Sequence, residues 1–147
     1  MSPSRDKGVS DAELDVLKSL WDDGPGTPRD VLHRLKGRGR SWAYTTVQTL
    51  LMRLFDKGFV SSDKSARAHV FSARVTRDEL LTRELGDLAT RVCGGEATPL
   101  MLNLVKGRRF RPDEIRDFRE LLDRLATEAE GAPYADARRP GRAPKKR

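Results

Sequence analysis

Cysteine is almost missing from this chain, with Cys93 the single copy. An intramolecular disulfide is therefore excluded, and a reducing cytoplasm is the expected compartment. Histidine is nearly as scarce. His33 and His69 fall in separate segments with no cysteine or carboxylate pair at ligand spacing, so no metal site is expected. The longest nearly unbroken apolar run, Leu100–Val105 interrupted by Asn103, falls far short of the ~20 residues that span a bilayer, so no membrane insertion is expected. The opening MSPSRDKG has no apolar signal-peptide core. Gly94-Gly95 is not followed by the residues of a phosphate loop, and no serine, threonine or cysteine stands in a nucleophile motif. These absences point away from an enzyme and call for no cofactor. Cys93, on the apolar edge of a helical segment, reads as a small core hydrophobe, with a redox switch as the alternative.

What is present is charge. Charged residues make up 35% of the chain and the mean hydropathy is −0.65, the composition of a soluble protein with a large solvated surface. The net charge of +7 is unevenly placed, because residues 131–147 alone hold six Lys/Arg and one Asp. The other 130 residues carry 23 basic and 21 acidic groups, so global basicity says little about partners. The local distribution says more. Between positions 36 and 57, Lys36, Arg38, Arg40, Arg53 and Lys57 face only Asp56, which reads either as a phosphate-docking cluster or as a solvated helix face.

The segment Ala43–Gly58, AYTTVQTLLMRLFDKG, is the most informative. Val47, Leu50, Leu51 and Leu54 follow the i, i+3, i+4, i+7 rule and make one apolar stripe. Thr45, Thr49 and Met52 point the opposite way, with Gln48 and Arg53 at the flanks. Short hydroxyls, an amide and a guanidinium on one outward face can hydrogen-bond to base edges, as a DNA recognition helix must. Gly58 stands where a left-handed cap would close the helix.

Around it, Ser10-Asp11-Ala12-Glu13 is a capping box that starts a helix with Leu14, Leu17, Leu20 and Trp21 as its buried stripe, stopped by Gly24-Pro25-Gly26. Thr27-Pro28 starts a second helix, with Val31, Leu32 and Leu35 on its apolar side and an end near Gly37. Three helices joined by tight turns read as a helix-turn-helix core. Phe59-Val60 and His69-Val70-Phe71 then read as strands flanking the polar segment Ser61–Ala68. Such a hairpin is the usual construction of a wing, with Lys64 and Arg67 either at the DNA backbone or on an ordinary solvated tip.

A second unit opens at the capping box Thr76-Arg77-Asp78-Glu79. Leu81, Leu85, Leu88 and Val92 stripe its first helix. Thr98-Pro99 begins a helix with Leu100, Leu102, Leu104 and Val105, and Pro112 begins a last one with Ile115, Phe118, Leu121, Leu122 and Leu125 along one side. Three helices over about 50 residues supply little core of their own. Their stripes are expected to bury against a second copy, giving a homodimer, or else against the first domain. The expected fold is mainly α. It has a flexible N-terminus at 1–7, a winged helix-turn-helix with a short β-hairpin wing at 8–75, a helical dimerisation domain at 76–129, and a disordered basic tail at 130–147.

Three stretches in order, SDAELDVLKSLW (Ser10–Trp21), AYTTVQTLLMRLFDKGFV (Ala43–Val60) and GGEATPLMLNLV (Gly94–Val105), followed by PDEIRDFRELLDRL (Pro112–Leu125), resemble the BlaI/MecI/CopY family of penicillinase repressors over residues 8 to 126. The resemblance implies a transcriptional repressor that binds double-stranded DNA operators of dyad symmetry, often in promoters of antibiotic-resistance genes. It implies base contacts by Thr45, Gln48 and Thr49. Backbone contacts are expected from Arg40, Thr46, Arg53, Lys57, Lys64 and Arg67. Dimerisation would use Leu81, Leu85, Leu88, Leu102, Leu104, Ile115, Phe118, Leu122 and Leu125. It also implies relief by a membrane sensor metalloprotease system, through cleavage at the pair matching Asn103-Leu104, where the family pattern has Phe in the second place. The cysteine cluster of copper-responsive relatives is absent, so copper sensing is not expected. Two other readings stay open: a winged-helix module that binds protein, and a nonspecific basic DNA binder relying on its tail.

Overall fold

The computed structural model describes residues 8–65 and 67–131. The expected flexible N-terminus and nearly all of the basic tail lie outside them. The chain divides into two compact units between Glu84 and Leu85, inside one helix.

The first unit opens with α1 (Asp11–Asp23), whose capping box forms on both sides. The Glu13 backbone N–H donates to Ser10 Oγ at 3.1 Å, and the Ser10 N–H donates to Glu13 Oε1 at 3.0 Å. A second box starts α2 (Pro28–Gly37), where Thr27 and Asp30 exchange bonds of 2.9 Å and 3.1 Å. The Thr27 N–H and then its hydroxyl hold the Asp30 carboxyl below the usual carboxylate range. Two reciprocal caps satisfy orphan N–H donors at both helix starts, so the chain reverses sharply without stranding polar groups.

The third helix, α3 (Tyr44–Asp56), ends in a Schellman closure. The Phe59 N–H reaches Leu54 O at 2.9 Å and the Gly58 N–H reaches Phe55 O at 3.0 Å. Gly58 sits at φ +83°, a conformation that penalises any side chain. Phe59 and Leu54, the closing apolar pair, are both fully buried. Val47, Leu50, Leu51 and Leu54 all face the core, with Val16, Leu17, Leu20, Val31 and Leu35 opposite them. On α1, Val16 takes the central place that the sequence pattern assigned to Leu14, and Leu14 and Trp21 pack at its margin.

Strand β1 (Val60–Asp63) pairs antiparallel with β2 (Val70–Ala73), in the register Val60↔Ala73 to Asp63↔Val70. Ser61, Ser62 and Asp63, expected in a loop, are strand. Ladder bonds use the backbone, and a hairpin facing water on one side needs no apolar residue there. Phe59 and His69, expected in strands, lie outside them. Phe71 also bridges Gly26, with N···O distances of 2.8 Å and 3.0 Å, so the loop after α1 adds a short third edge to the hairpin. Three helices with this hairpin form a winged helix-turn-helix.

Helix α4 (Arg77–Cys93) follows, with the Glu79 N–H on Thr76 Oγ1 at 3.0 Å. Leu80, absent from the sequence-derived stripe, belongs to the first unit's core, while Leu81 is exposed. The indole N–H of Trp21 donates to Val75 O at 2.8 Å, tying α1 to the residues before α4.

The second unit holds the rest of α4 with α5 (Thr98–Lys106) and α6 (Pro112–Gly131), so Glu130 and Gly131, assigned to the tail from sequence, are helical. No residue of α5 or α6 is buried. Phe110 and Phe118 meet edge to face at 5.1 Å. Cys93 is half-buried rather than a core residue.

Candidate nucleic-acid interface

The face of α3 opposite its buried stripe carries Thr45, Gln48, Thr49, Met52 and Arg53, all exposed. Two grooves run along it. One is lined by Thr45, Gln48, Thr49, Met52, Arg53 and Asp56. The other, a cleft of about 430 Å³, lies between α3 and the hairpin and takes in Pro28, Tyr44, Gln48, Met52, Arg67, Ala68, His69 and Phe71. Gln48 and Met52, one helical turn apart, line both grooves and so form the crest between them.

The hydroxyl of Thr49 donates to Thr45 O at 2.9 Å. Its hydrogen is committed to its own helix, so Thr49 offers outward an acceptor and a methyl group. Gln48 is then the residue on this crest with both a donor and an acceptor to present. At the helix start, Ala43 makes no side-chain cap bond, so the first N–H groups of α3, beside Thr45 and the exposed Thr46, remain open to an external acceptor. Tyr44 is braced there by the Arg29 guanidinium, 5.6 Å from its ring centre.

The basic cluster read between positions 36 and 57 is largely engaged with α1. Arg38 bonds Asp22 at 3.0 Å and Asp23 at 2.8 Å, Arg40 Nε lies 3.0 Å from Asp15, and Lys57 Nζ lies 2.8 Å and 2.9 Å from the Glu13 carboxylate. The Arg38 bond, with a further one from Arg77, holds the Asp22 carboxyl below its ordinary range. Asp23 and then Asp22 push the Arg38 guanidinium up. The carboxylates of α1 that neutralise this cluster are remote in sequence and adjacent in space. Lys57, expected to contact phosphate, makes a third bond to Gly8 O at 2.9 Å, so all three of its N–H donors are taken within the protein. Arg40 keeps a half-exposed side chain despite its pair. Among the described residues Arg53, Lys64 and Arg67 form no ion pair, and all three are exposed.

Met52 and Tyr44 line the grooves without being among the contacts expected from sequence. For Met52 the signal is its helical spacing, which puts it on the outward face. His69 enters the cleft from the hairpin, whereas His33 is exposed on α2.

Leu81, at the end of the first unit, is 54% exposed. In the second unit Leu102, Leu104, Ile115, Phe118, Leu122 and Leu125 are between 40% and 59% exposed, while Leu85 and Leu88 are half-buried. Asn103 and Leu104 lie within α5, with Asn103 Nδ2 donating to Pro99 O at 2.8 Å. No described helix is long and apolar enough to cross a membrane.

A winged helix-turn-helix with a polar outward third helix defines the class of this protein. Residues 9–124 match the family model described as penicillinase repressor, and the chain belongs to that family. The penicillinase repressor of Bacillus licheniformis is 25% identical over 115 residues, covering 78% of this chain and 89% of the relative. The methicillin resistance regulatory protein MecI of Mammaliicoccus sciuri is 24% identical over 116 residues, covering 79% and 94%. Among known structures, the DNA-binding domain of the repressor BlaI is 31% identical and aligns with a TM-score of 0.43, covering 48% of this chain and 85% of its own.

Proposed function

We propose that this protein is a transcriptional repressor that lays α3 in the major groove of double-stranded DNA. The observation that carries this reading is the crest of α3, where Gln48 stands exposed between two grooves on a helix buried along its other side. Gln48 reads a base edge, with Thr45 and Thr49 beside it. Thr46, Arg53 and the hairpin cations Lys64 and Arg67 dock phosphates, with Arg40 joining them only by leaving Asp15. A cytoplasmic location follows from a DNA partner.

The repressor acts as a homodimer on a dyad operator, residues 8–75 forming the reading domain and 76–129 the dimerisation domain. Support comes from the unburied apolar stripe of α4, α5 and α6, which has no core to enter within its own unit. Two-fold symmetry then demands inverted half-sites. As in its relatives' names, penicillinase and methicillin-resistance genes are the target class that family membership suggests.

Relief by cleavage at Asn103-Leu104 through a membrane sensor metalloprotease system completes the proposal. The bond lies inside a helix, so a protease gains it only when α5 unwinds. Footprinting on the DNA upstream of its own gene tests the reading. Protection with dyad symmetry is expected, and absence of any sequence preference at low salt overturns it. Binding insensitive to salt would favour a protein-interaction module instead.

A further inference from the structure

Met52 is the most exposed large apolar side chain of α3, at 46%. It adds nothing to the core. Its neighbours on the crest are Gln48, one turn earlier, and the Thr49 methyl, left outward because the Thr49 hydroxyl is tied to Thr45. On the hairpin side the cleft continues this apolar lining through Tyr44, Pro28 and Phe71. An unbranched thioether at the most prominent point of a polar reading face costs solubility unless an apolar group covers it.

In a major groove, the one apolar group presented by a base edge is the C5-methyl of thymine. The surrounding charge favours DNA as the occupant, since the exposed cations Arg53 and Arg67 each line one of the two grooves, where phosphate would approach. We propose that Met52 is a second specificity-determining side chain, which packs on a thymine methyl next to the base read by Gln48. The proposal rests on the DNA-binding reading above, and it adds that each half-site contains a thymine recognised through its methyl group alone.

The test separates the two. A duplex is enriched from a random pool by the full wild-type chain, and each thymine is then replaced by deoxyuridine, which keeps every hydrogen bond and loses only the methyl. Wild type is expected to lose about fourfold in affinity at one thymine per half-site, the effect of one buried methyl. Met52→Ala should bind thymine and uracil duplexes alike, while Met52→Leu should retain most of the discrimination. Circular dichroism should show both variants folded, as an exposed position predicts. Uracil substitutions that are silent in wild type overturn the proposal and leave the DNA reading intact. Methyl sensitivity undiminished in Met52→Ala does the same. Failure to enrich any duplex overturns both.

Discussion

The Lys57 ammonium rests 2.8 Å and 2.9 Å from the two carboxylate oxygens of Glu13, joining the C-terminal end of α3 to the first turn of α1. Glu13 is 2% exposed, so this carboxylate has no water to replace its partner. Burial pushes its pKa up, but the Lys57 bond and the two Ser10 bonds outweigh that and hold it below its ordinary 4.5. Lys57→Met should cost about 3 kcal/mol of unfolding free energy in urea titrations, because it strands a buried carboxylate. The salt slope of DNA binding should not change, whereas loss of a phosphate contact would lower it by about 1.

The same pair sets an acid limit. A folded pKa below the unfolded value means that the contribution is complete above the unfolded pKa and is lost as pH falls through the folded one. Thermal stability should therefore decline as pH drops below about 4.5, and the Glu13→Gln chain should show a shallower decline. An identical profile in both chains would remove Glu13 from the acid transition.

Gln48 and Arg53 should separate by their effects on DNA. Gln48→Ala should relax preference at one base position per half-site by about 1–3 kcal/mol, read in competition binding with single-base variants. Arg53→Ala should weaken all duplexes together and reduce the salt slope by about 1. If both variants weaken all sequences equally, Gln48 is not a base reader.

The stripe of the second unit predicts assembly. Leu122→Asp, at a position 59% exposed, should cost a monomer little and a dimer its interface. Sedimentation should show wild-type dimers and variant monomers, with dyad protection reduced to weak half-site binding. A variant that sediments like wild type would take Leu122 out of the interface.

Gly58→Ala should destabilise the first unit by roughly 1 kcal/mol or more in urea titrations, because φ +83° is unfavourable for any residue with a Cβ. Nothing lies within 4 Å of the added atom, so the cost is conformational rather than steric. Unchanged stability would mean that the cap relaxes at no cost.

Much of this molecule is written locally. Reciprocal caps at Ser10 and Thr27, the proline opening α2, the stripe Val47–Leu54 and the glycine closing α3 all act within a few residues, so the three helices and the outward face of the third are legible from local pattern. Other features join residues far apart along the chain and emerge on folding. Gly26 pairs with Phe71 through backbone groups that carry no side-chain signal. Leu80 rather than Leu81 enters the first core, a choice between adjacent leucines that periodicity alone did not make. The basic cluster was visible as composition, yet Arg38, Arg40 and Lys57 are engaged by the carboxylates of α1. Charge counted along a segment ignores partners tens of residues away, and folding brings those within 3 Å, where Coulomb attraction and hydrogen bonding assign each cation its role.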